Sequence, residues 1–214
     1  MQGEKVNIDK SQAEQLGPVA SVRKIGNELF HRSGATQGFS VLDFWQWSMA
    51  DLVSNATRGV LAEFIVAQAL GIATTGVREE WAPYDLRTVE GVTIEVKSAA
   101  YLQSWAQRRL SSILFNVSKK RILDAATNQM VDEPTRTAQV YVFALLAHQD
   151  QTTLDPLNLD QWRFYVLSTA KLNERTRSQH SITLPSLAAM DAGPHKFDGL
   201  RAAVEAASTK ARGC

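Results

Sequence analysis

The sequence predicts an α/β domain with a mixed β-sheet of about five strands flanked by helices, preceded by an N-terminal helical extension. Residues 140–147, VYVFALLA, are apolar on both faces, which is typical of a central strand covered on both sides. Residues 59–72 are apolar nearly all round and predict a helix buried against the sheet. Residues 84–98 contain two strand-like runs separated by a short loop that ends in glycine, which predicts a β-hairpin.

Composition limits the class of protein. The chain has 214 residues, of which 44% are hydrophobic and 21% are charged, as in ordinary soluble globular proteins. No apolar run reaches the length of a membrane span and the N-terminus lacks an apolar signal-peptide segment, so we expect a cytoplasmic protein with no membrane partner. The single cysteine excludes an internal disulfide, and the four histidines are scattered, so a metal site would use carboxylate ligands.

Three regions are predicted along the chain. Residues 1–12 are polar and predict a disordered tail. Residues 13–54 predict the helical extension, and residues 55–214 predict the α/β domain that carries the elements described next.

The extension has one clear start signal. Residues 13–32 are weakly helical and residues 33–40 predict a loop. Ser40, with Asp43 three residues later, is an N-cap signal for a helix that extends to about Val53. One stripe of this helix predicts a face packed on the core, and it consists of Val41, Phe44, Trp45, Ser48 and Leu52.

The next helix carries an acid in an apolar setting. Asn55 or Thr57 is predicted to cap it, and Gly71 is predicted to end it. A buried carboxylate loses hydration that must be replaced, so Glu63 needs Arg58, Lys97 or a metal ion as a partner. The alternative is a glutamate at the helix edge that reaches water.

The hairpin has a register that the sequence specifies. The loop ends in Gly91, as a left-handed bulge position prefers, and folding the chain about Glu90 places Leu86 opposite Ile94. One face is then apolar and the other polar, and a slip of one residue would scramble both faces.

On the polar face, this register places Asp85 opposite Glu95. Directly opposed side chains have Cβ atoms about 5 Å apart, where like charges repel. A divalent cation such as Mg²⁺ would neutralise them, with Lys97 on the same face to hold a water or steady charge on a phosphate. Alternatively, the face is solvated and Arg87 and Lys97 neutralise the acids diagonally.

After the hairpin, the chain predicts further strands and a final helix. The strands are residues 112–117, 140–147, 162–167 and 182–184; residues 99–109 form a short helix or a loop, and residues 196–208 form a C-terminal helix. Between Lys97 and Arg121 there are six basic residues and no acid, interleaved with Tyr101 and Trp105. This mixture suits phosphates and bases, although a solvated basic face is the other interpretation.

The order of these features resembles the PD-(D/E)XK nuclease superfamily, to which many restriction endonucleases and junction-resolving enzymes belong. The matching motifs are residues 83–85, Pro-Tyr-Asp, and residues 95–97, Glu-Val-Lys, with the glutamate ten positions after the aspartate. The helix that carries Glu63 is similar to the first core helix of the superfamily. The resemblance covers about residues 55–167, and its proline and aspartate are separated by one residue, which removes no ligand.

The resemblance implies a restriction endonuclease-like core and hydrolysis of DNA phosphodiester bonds with Mg²⁺ or Mn²⁺. It implies that Asp85, Glu95 and the carbonyl of Val96 bind the metal, that Lys97 orients the attacking water, and that Glu63 is a further ligand. The candidate nucleic-acid contacts are Ser98, Tyr101, Gln103, Arg108, Arg109, Lys119 and Lys120. A homodimer would supply the two sites that cutting of both strands requires. The alternatives are a non-catalytic nucleic-acid-binding or accessory protein with this fold, and a different fold in which the hairpin is ordinary surface.

Overall fold

The computed structural model describes residues 19–80, 82–121, 123–124, 129–130 and 133–212. The predicted tail of residues 1–12 lies outside the described residues. The strands are β1 (Leu29–Arg32), β2 (Ala35–Ser40), β3 (Leu86–Arg87), β4 (Thr93–Ala100), β5 (Leu114–Asn116), β6 (Leu123–Asp124), β7 (Gln129–Met130), β8 (Val140–Leu146), β9 (Trp162–Ser168) and β10 (Ser181–Thr183). The α-helices are α1 (Val41–Met49), α2 (Asn55–Leu70), α3 (Thr169–Asn173), α4 (Leu184–Ala189) and α5 (Leu200–Arg212), and short 3₁₀ turns precede β9 and α5.

A four-stranded mixed sheet organises the fold. Its strand order is β3-β4-β8-β9, with β4 parallel to β8 and the two outer pairs antiparallel. The predicted mixed α/β class is therefore confirmed, and the sheet has four strands where the sequence predicted about five. The predicted strand at residues 182–184 is β10, which pairs with β5 in a separate two-stranded sheet.

The two faces of the sheet have separate cores. Helices α2 and α5 cover one face, where they pack on Ile94, Val142 and their neighbours. The β5–β10 pair, α3 and α4 cover the other face, which includes Tyr141 and Phe143. Strand β8 is buried along its whole length, as its apolar pattern predicts. Glu95 lies beside Tyr141 in the parallel register, so it belongs to the second face.

Helix α2 forms where its pattern predicts, with one change at its start. Ser54, rather than Asn55 or Thr57, is the N-cap, and its hydroxyl accepts from the Thr57 amide at 3.4 Å. Gly71 ends the helix with a φ of +66°, a left-handed conformation that favours glycine. None of the helices described is long and apolar enough to span a membrane.

The helix predicted for residues 13–32 is wrong over residues 29–32, which form β1. With residues 35–40, which were predicted as a loop, they form the β1–β2 hairpin. Its two-residue turn, Ser33-Gly34, has positive φ at both positions, as tight hairpin turns require. The predicted capping box at Ser40 and Asp43 is confirmed. Helix α1 ends at Met49, before the predicted Val53, and buries none of its residues. The predicted core stripe is therefore wrong, because α1 lies against β2 and not on the central sheet.

A buried arginine links the segments that cover the second face of the sheet. Arg136 donates to the carbonyl oxygens of Val117 at 2.9 Å and Gln179 at 2.8 Å. The same guanidinium also donates to the side-chain oxygens of Asn173 and Gln179. Val117 comes directly after β5, so this network fixes the segment that leads to Lys120.

Arg136→Met is expected to lower the free energy of unfolding by about 3 kcal/mol, because four oxygen atoms lose their charged donor. Urea unfolding would measure the loss. The matched control is Arg177→Met at an exposed site, which should change stability by less than about 0.5 kcal/mol. Equal stability of the two variants would contradict the role assigned to this network.

Candidate active site

The predicted hairpin is present in the predicted register. Leu86 pairs with Ile94, the Thr88 amide donates to the Val92 carbonyl at 2.9 Å, and Gly91 has a φ of +85°. Glycine is favoured there because a Cβ would strain the left-handed turn. This loop fixes how the chain before β3 lies against β4.

Asp85 stands directly before β3 and makes its own contact with β4. The regular pairing of β3 with β4 ends at Leu86. The predicted pairing of Asp85 directly opposite Glu95 is therefore not part of the sheet. Instead, Asp85 Oδ2 accepts from the Val96 amide at 2.7 Å, and the Asp85 amide donates to the Ile94 carbonyl at 3.0 Å. The carboxylate therefore occupies a place in the hydrogen-bond ladder, which holds it beside β4 at the level of Glu95 and Lys97.

Glu95 is 3% exposed and is held by two lysines. Its Oε1 accepts from Lys97 Nζ at 2.5 Å and from Lys120 Nζ at 2.8 Å. Lys97 is on the same strand, whereas Lys120 follows β5 and reaches Glu95 from the elements that cover the second face of the sheet. Sequence reasoning placed Lys120 among the nucleic-acid contacts and missed this contact. The only signal for it was the acid-free basic segment of residues 97–121.

The two carboxyl groups have opposite electrostatic settings. Burial raises the pKa of Asp85 to about 6, the charge of Glu95 adds to the rise, and the hydrogen bond from Val96 opposes it. Burial also favours the neutral form of Glu95, but the ammonium groups of Lys97 and Lys120 outweigh it and hold the pKa of Glu95 below its usual value. The surroundings of Glu95 therefore favour its charged form, whereas those of Asp85 favour its neutral form.

Tyr141 lies next to Glu95 in the register of β4 and β8. Burial, with a further contribution from the charge of Glu95, raises the pKa of its phenol to about 12. The phenol therefore stays protonated at any physiological pH. Burial lowers the pKa of Lys120, but its hydrogen bond to Glu95 together with the charges of Glu95 and Asp85 outweighs this and raises the pKa above its usual value.

Glu63 has a cation as partner, and it is not one that the sequence suggested. Arg78 binds it through two hydrogen bonds, Nε to Oε2 at 2.5 Å and Nη2 to Oε1 at 2.8 Å. The suggested partner Arg58 is buried elsewhere and donates to Val53, Asn55 and Ser98. Arg78 lies in a segment without periodicity, so no sequence pattern pointed to it.

A cleft of about 500 Å³ opens between α2 and β3. Glu63, Arg78 and Asp85 line it together with apolar side chains such as Phe64 and Val77. The charge of Glu63 contributes to the raised pKa of Asp85, so the two carboxyl groups repel each other across the cleft. The cleft gives solvent and ligands access to the Asp85 side of the site.

The predicted nucleic-acid contacts fall into two groups. Those with exposed side chains are Arg108, Arg109, Lys119 and Lys120. Ser98 and Gln103 are half-buried and accept hydrogen bonds from Arg58, and Gln103 also donates to the Ala100 carbonyl. Tyr101 packs against the second core. Arg108, Arg109 and Lys119 are thus available to a ligand, whereas Lys120 is bound to Glu95 and the other three have structural partners.

The predicted metal ligands are brought together only in part. Within the part of the chain that the structure describes, no three Asp, Glu, His or Cys side chains gather as a metal-binding cluster. Asp85 and Glu95 are adjacent, each with one oxygen that takes no hydrogen bond from any described residue: Oδ1 and Oε2. Two such oxygens beside a backbone segment at Val96 suit a hard divalent cation that completes its shell with water. Glu63 stays with Arg78.

Comparison with protein-family models gives a match. A protein-family model described as bacteriophage T4 endonuclease IV matches residues 30–185. That span runs from β1 to α4 and includes both carboxylates, Lys97 and Lys120. No match was found among the curated proteins.

Proposed function

The chain belongs to the bacteriophage T4 endonuclease IV family, and from this premise we propose that it is a metal-dependent nuclease of PD-(D/E)XK type that hydrolyses DNA phosphodiester bonds. The observation that carries the proposal is a pair of carboxyl groups in different settings. Asp85 is poorly neutralised, and the buried Glu95 beside it binds two ammonium groups. Perturbed acids beside cations in an accessible position are typical of catalytic sites.

In this proposal Asp85 and Glu95 hold Mg²⁺ or Mn²⁺, with the Val96 carbonyl and Glu63 as further candidate ligands. When bound, the ion supplies Lewis-acid stabilisation of the phosphate and lowers the pKa of a water molecule. The raised pKa of Asp85 supports this assignment, because a nearby positive charge would relieve the cost of ionising that group. Release of Glu63 from Arg78 would be needed before it could take part.

Lys97 has the role of orienting the attacking water and stabilising charge on the phosphate. Its ammonium group is next to Glu95 and its side chain is 23% exposed, so it can face both the carboxylate and a substrate. The water oxygen forms a bond to phosphorus and loses a proton to solvent, the bond to one ester oxygen breaks, and that oxygen takes up a proton from solvent. The exposed basic side chains Arg108, Arg109 and Lys119 would contact the DNA backbone.

The test is a digestion panel with duplex, single-stranded and branched DNA and with RNA, each with Mg²⁺, Mn²⁺ or a chelator. We expect metal-dependent cutting of DNA, and we expect Lys97→Ala to lower its rate by about 10²- to 10³-fold. Supercoiled circular DNA belongs in the panel because nicked and linear products distinguish a single cut from the paired cuts of a homodimer. The control is Lys196→Ala, a remote lysine paired with Asp160.

Cutting that survives both the chelator and Lys97→Ala would contradict the proposal. DNA binding without cutting of any form would instead favour the non-catalytic accessory protein. A chain that neither binds nor cuts nucleic acid would contradict both.

A further inference from the structure

We infer that Lys120 is part of the reaction centre: it neutralises Glu95 while no metal is bound and moves to the scissile phosphate when the metal takes its place. The inference rests on the proposed function and adds a second lysine to it. It departs from the sequence-based view of Lys120 as an outer contact for the DNA backbone.

The geometry of Glu95 is the starting point. Two ammonium groups, Lys97 Nζ and Lys120 Nζ, share a single oxygen atom, Oε1. The negative charges of Glu95 and the neighbouring Asp85 together balance the two ammonium groups. A divalent ion bound by these two carboxyl groups would take over that balance and leave the ammonium groups with positive charge for a polyanionic substrate.

The two lysines differ in freedom. The Lys97 side chain is 23% exposed, whereas that of Lys120 is 66% exposed. The Lys120 backbone is nevertheless fixed, because it exchanges two hydrogen bonds of 2.9 Å with Thr135. Lys120 therefore has an anchored main chain and a side chain that can leave Glu95 through solvent, on a flexible four-carbon stem.

A divalent ion at Asp85 and Glu95 would repel both ammonium groups, and the repulsion is strong beside Glu95 because that residue is 3% exposed. The more exposed lysine has the lower cost of leaving, so Lys120 is displaced. The phosphate bound at the same centre offers it a new negative partner. In this role Lys120 gives up no proton and makes no covalent bond, since it acts only by its charge.

This role predicts two changes of opposite sign when Lys120 is removed. The metal should bind more tightly, because a competing positive charge is gone. Cleavage should be slower, because charge on the phosphate is less well stabilised. If Lys120 only helped to bind DNA, its removal would raise KM and leave both kcat and the metal affinity unchanged.

The experiment is calorimetric titration of Mn²⁺ into full-length wild type and Lys120→Met without DNA, combined with kcat and KM on the DNA that wild type cuts best. We expect the dissociation constant for Mn²⁺ to fall by about 3- to 10-fold, and kcat to fall by about 10²-fold with little change in KM. Lys120→Arg should keep wild-type metal affinity, because it retains the charge. Lys196→Met controls for the loss of one surface lysine, and equal melting temperatures exclude misfolding.

A metal affinity that stays the same or weakens in Lys120→Met overturns the inference, as does a change confined to KM. Both outcomes leave the proposed function standing, since the wild type would still cut with metal. A wild type that neither binds Mn²⁺ nor cuts DNA removes the proposed function, and the inference falls with it.

Discussion

Asp85→Asn is expected to abolish metal-dependent cleavage and at the same time to make the metal-free protein more stable, by about 2 kcal/mol at pH 7.5. Asparagine keeps an oxygen that can accept from the Val96 amide, so the hydrogen bond to β4 is retained. It removes the charge that burial and Glu95 make unfavourable. Cleavage should fall by at least about 10²-fold because a proposed metal ligand is lost.

The pH dependence of stability follows from the direction of the shift. The pKa of Asp85 is about 6 in the folded protein against an ordinary value of 3.8. Between these values the folded state binds a proton that the unfolded state has released, so the free energy of unfolding falls as pH rises from about 4 to 6. The full destabilisation of the folded protein by ionised Asp85 is present above pH 6 and absent below pH 4. Asp85→Asn should lack this contribution.

Urea unfolding of both proteins at intervals from pH 4 to pH 8 measures the effect. Asp198→Asn, at an exposed site, is the control and should follow the wild type throughout. A lower stability of Asp85→Asn at pH 7.5 would show that the carboxylate is stabilising in the folded state, contrary to its raised pKa. Activity that persists in this variant would remove Asp85 from the proposed ligands.

The sequence could predict the parts of the site that depend on local pattern. Alternation about Gly91 determines the hairpin, and the apolar length of residues 59–72 determines helix α2, so Glu63 and Glu95 were placed on the right elements and Asp85 lies directly before its predicted strand. The Ser40 capping box is likewise a contact between residues three apart. In each case, the interactions that fix the structure lie within a short stretch of chain.

The contacts that sequence could not predict join separate elements. Lys120 contacts Glu95 only because the β5–β10 pair lies on one face of the central sheet. No periodicity in the sequence encodes how this pair aligns with the sheet. Arg78 reaches Glu63 from an irregular segment. For α1, the apolar stripe indicated that one face is apolar but not which surface covers it, and its aromatic side chains remain exposed. The Ser33-Gly34 turn is signalled only by its glycine, because serine is uncommon at positive φ.

Glu95→Gln is expected to have the opposite effect on stability from Asp85→Asn, although both variants remove one negative charge from the same site. The glutamine leaves the ammonium groups of Lys97 and Lys120 close together without a carboxylate. We expect a loss of about 2 kcal/mol at pH 7.5, reduced from the cost of a fully buried pair because Lys120 is exposed. Cleavage should again fall by at least about 10²-fold.

The stabilisation that Glu95 provides also depends on pH. Its pKa is lowered in the folded protein, so its contribution is present above the ordinary glutamate pKa and is lost as pH falls through the folded-state value. Wild type and Glu95→Gln should therefore converge in stability in acid, whereas wild type and Asp85→Asn differ most above pH 6. Urea unfolding over the same pH range tests both, with Glu205→Gln on the exposed face of α5 as the control.

A double variant isolates the cause of the loss. Adding Lys120→Met to Glu95→Gln removes one of the two facing ammonium groups, so it should restore about half of the lost stability if repulsion between them is the reason. No recovery would mean that the loss comes from packing around residue 95 and not from charge. A single variant Glu95→Gln as stable as wild type would show that the two lysines do not depend on this carboxylate. The lysine-held state of Glu95, from which Lys120 is proposed to move, would then not exist.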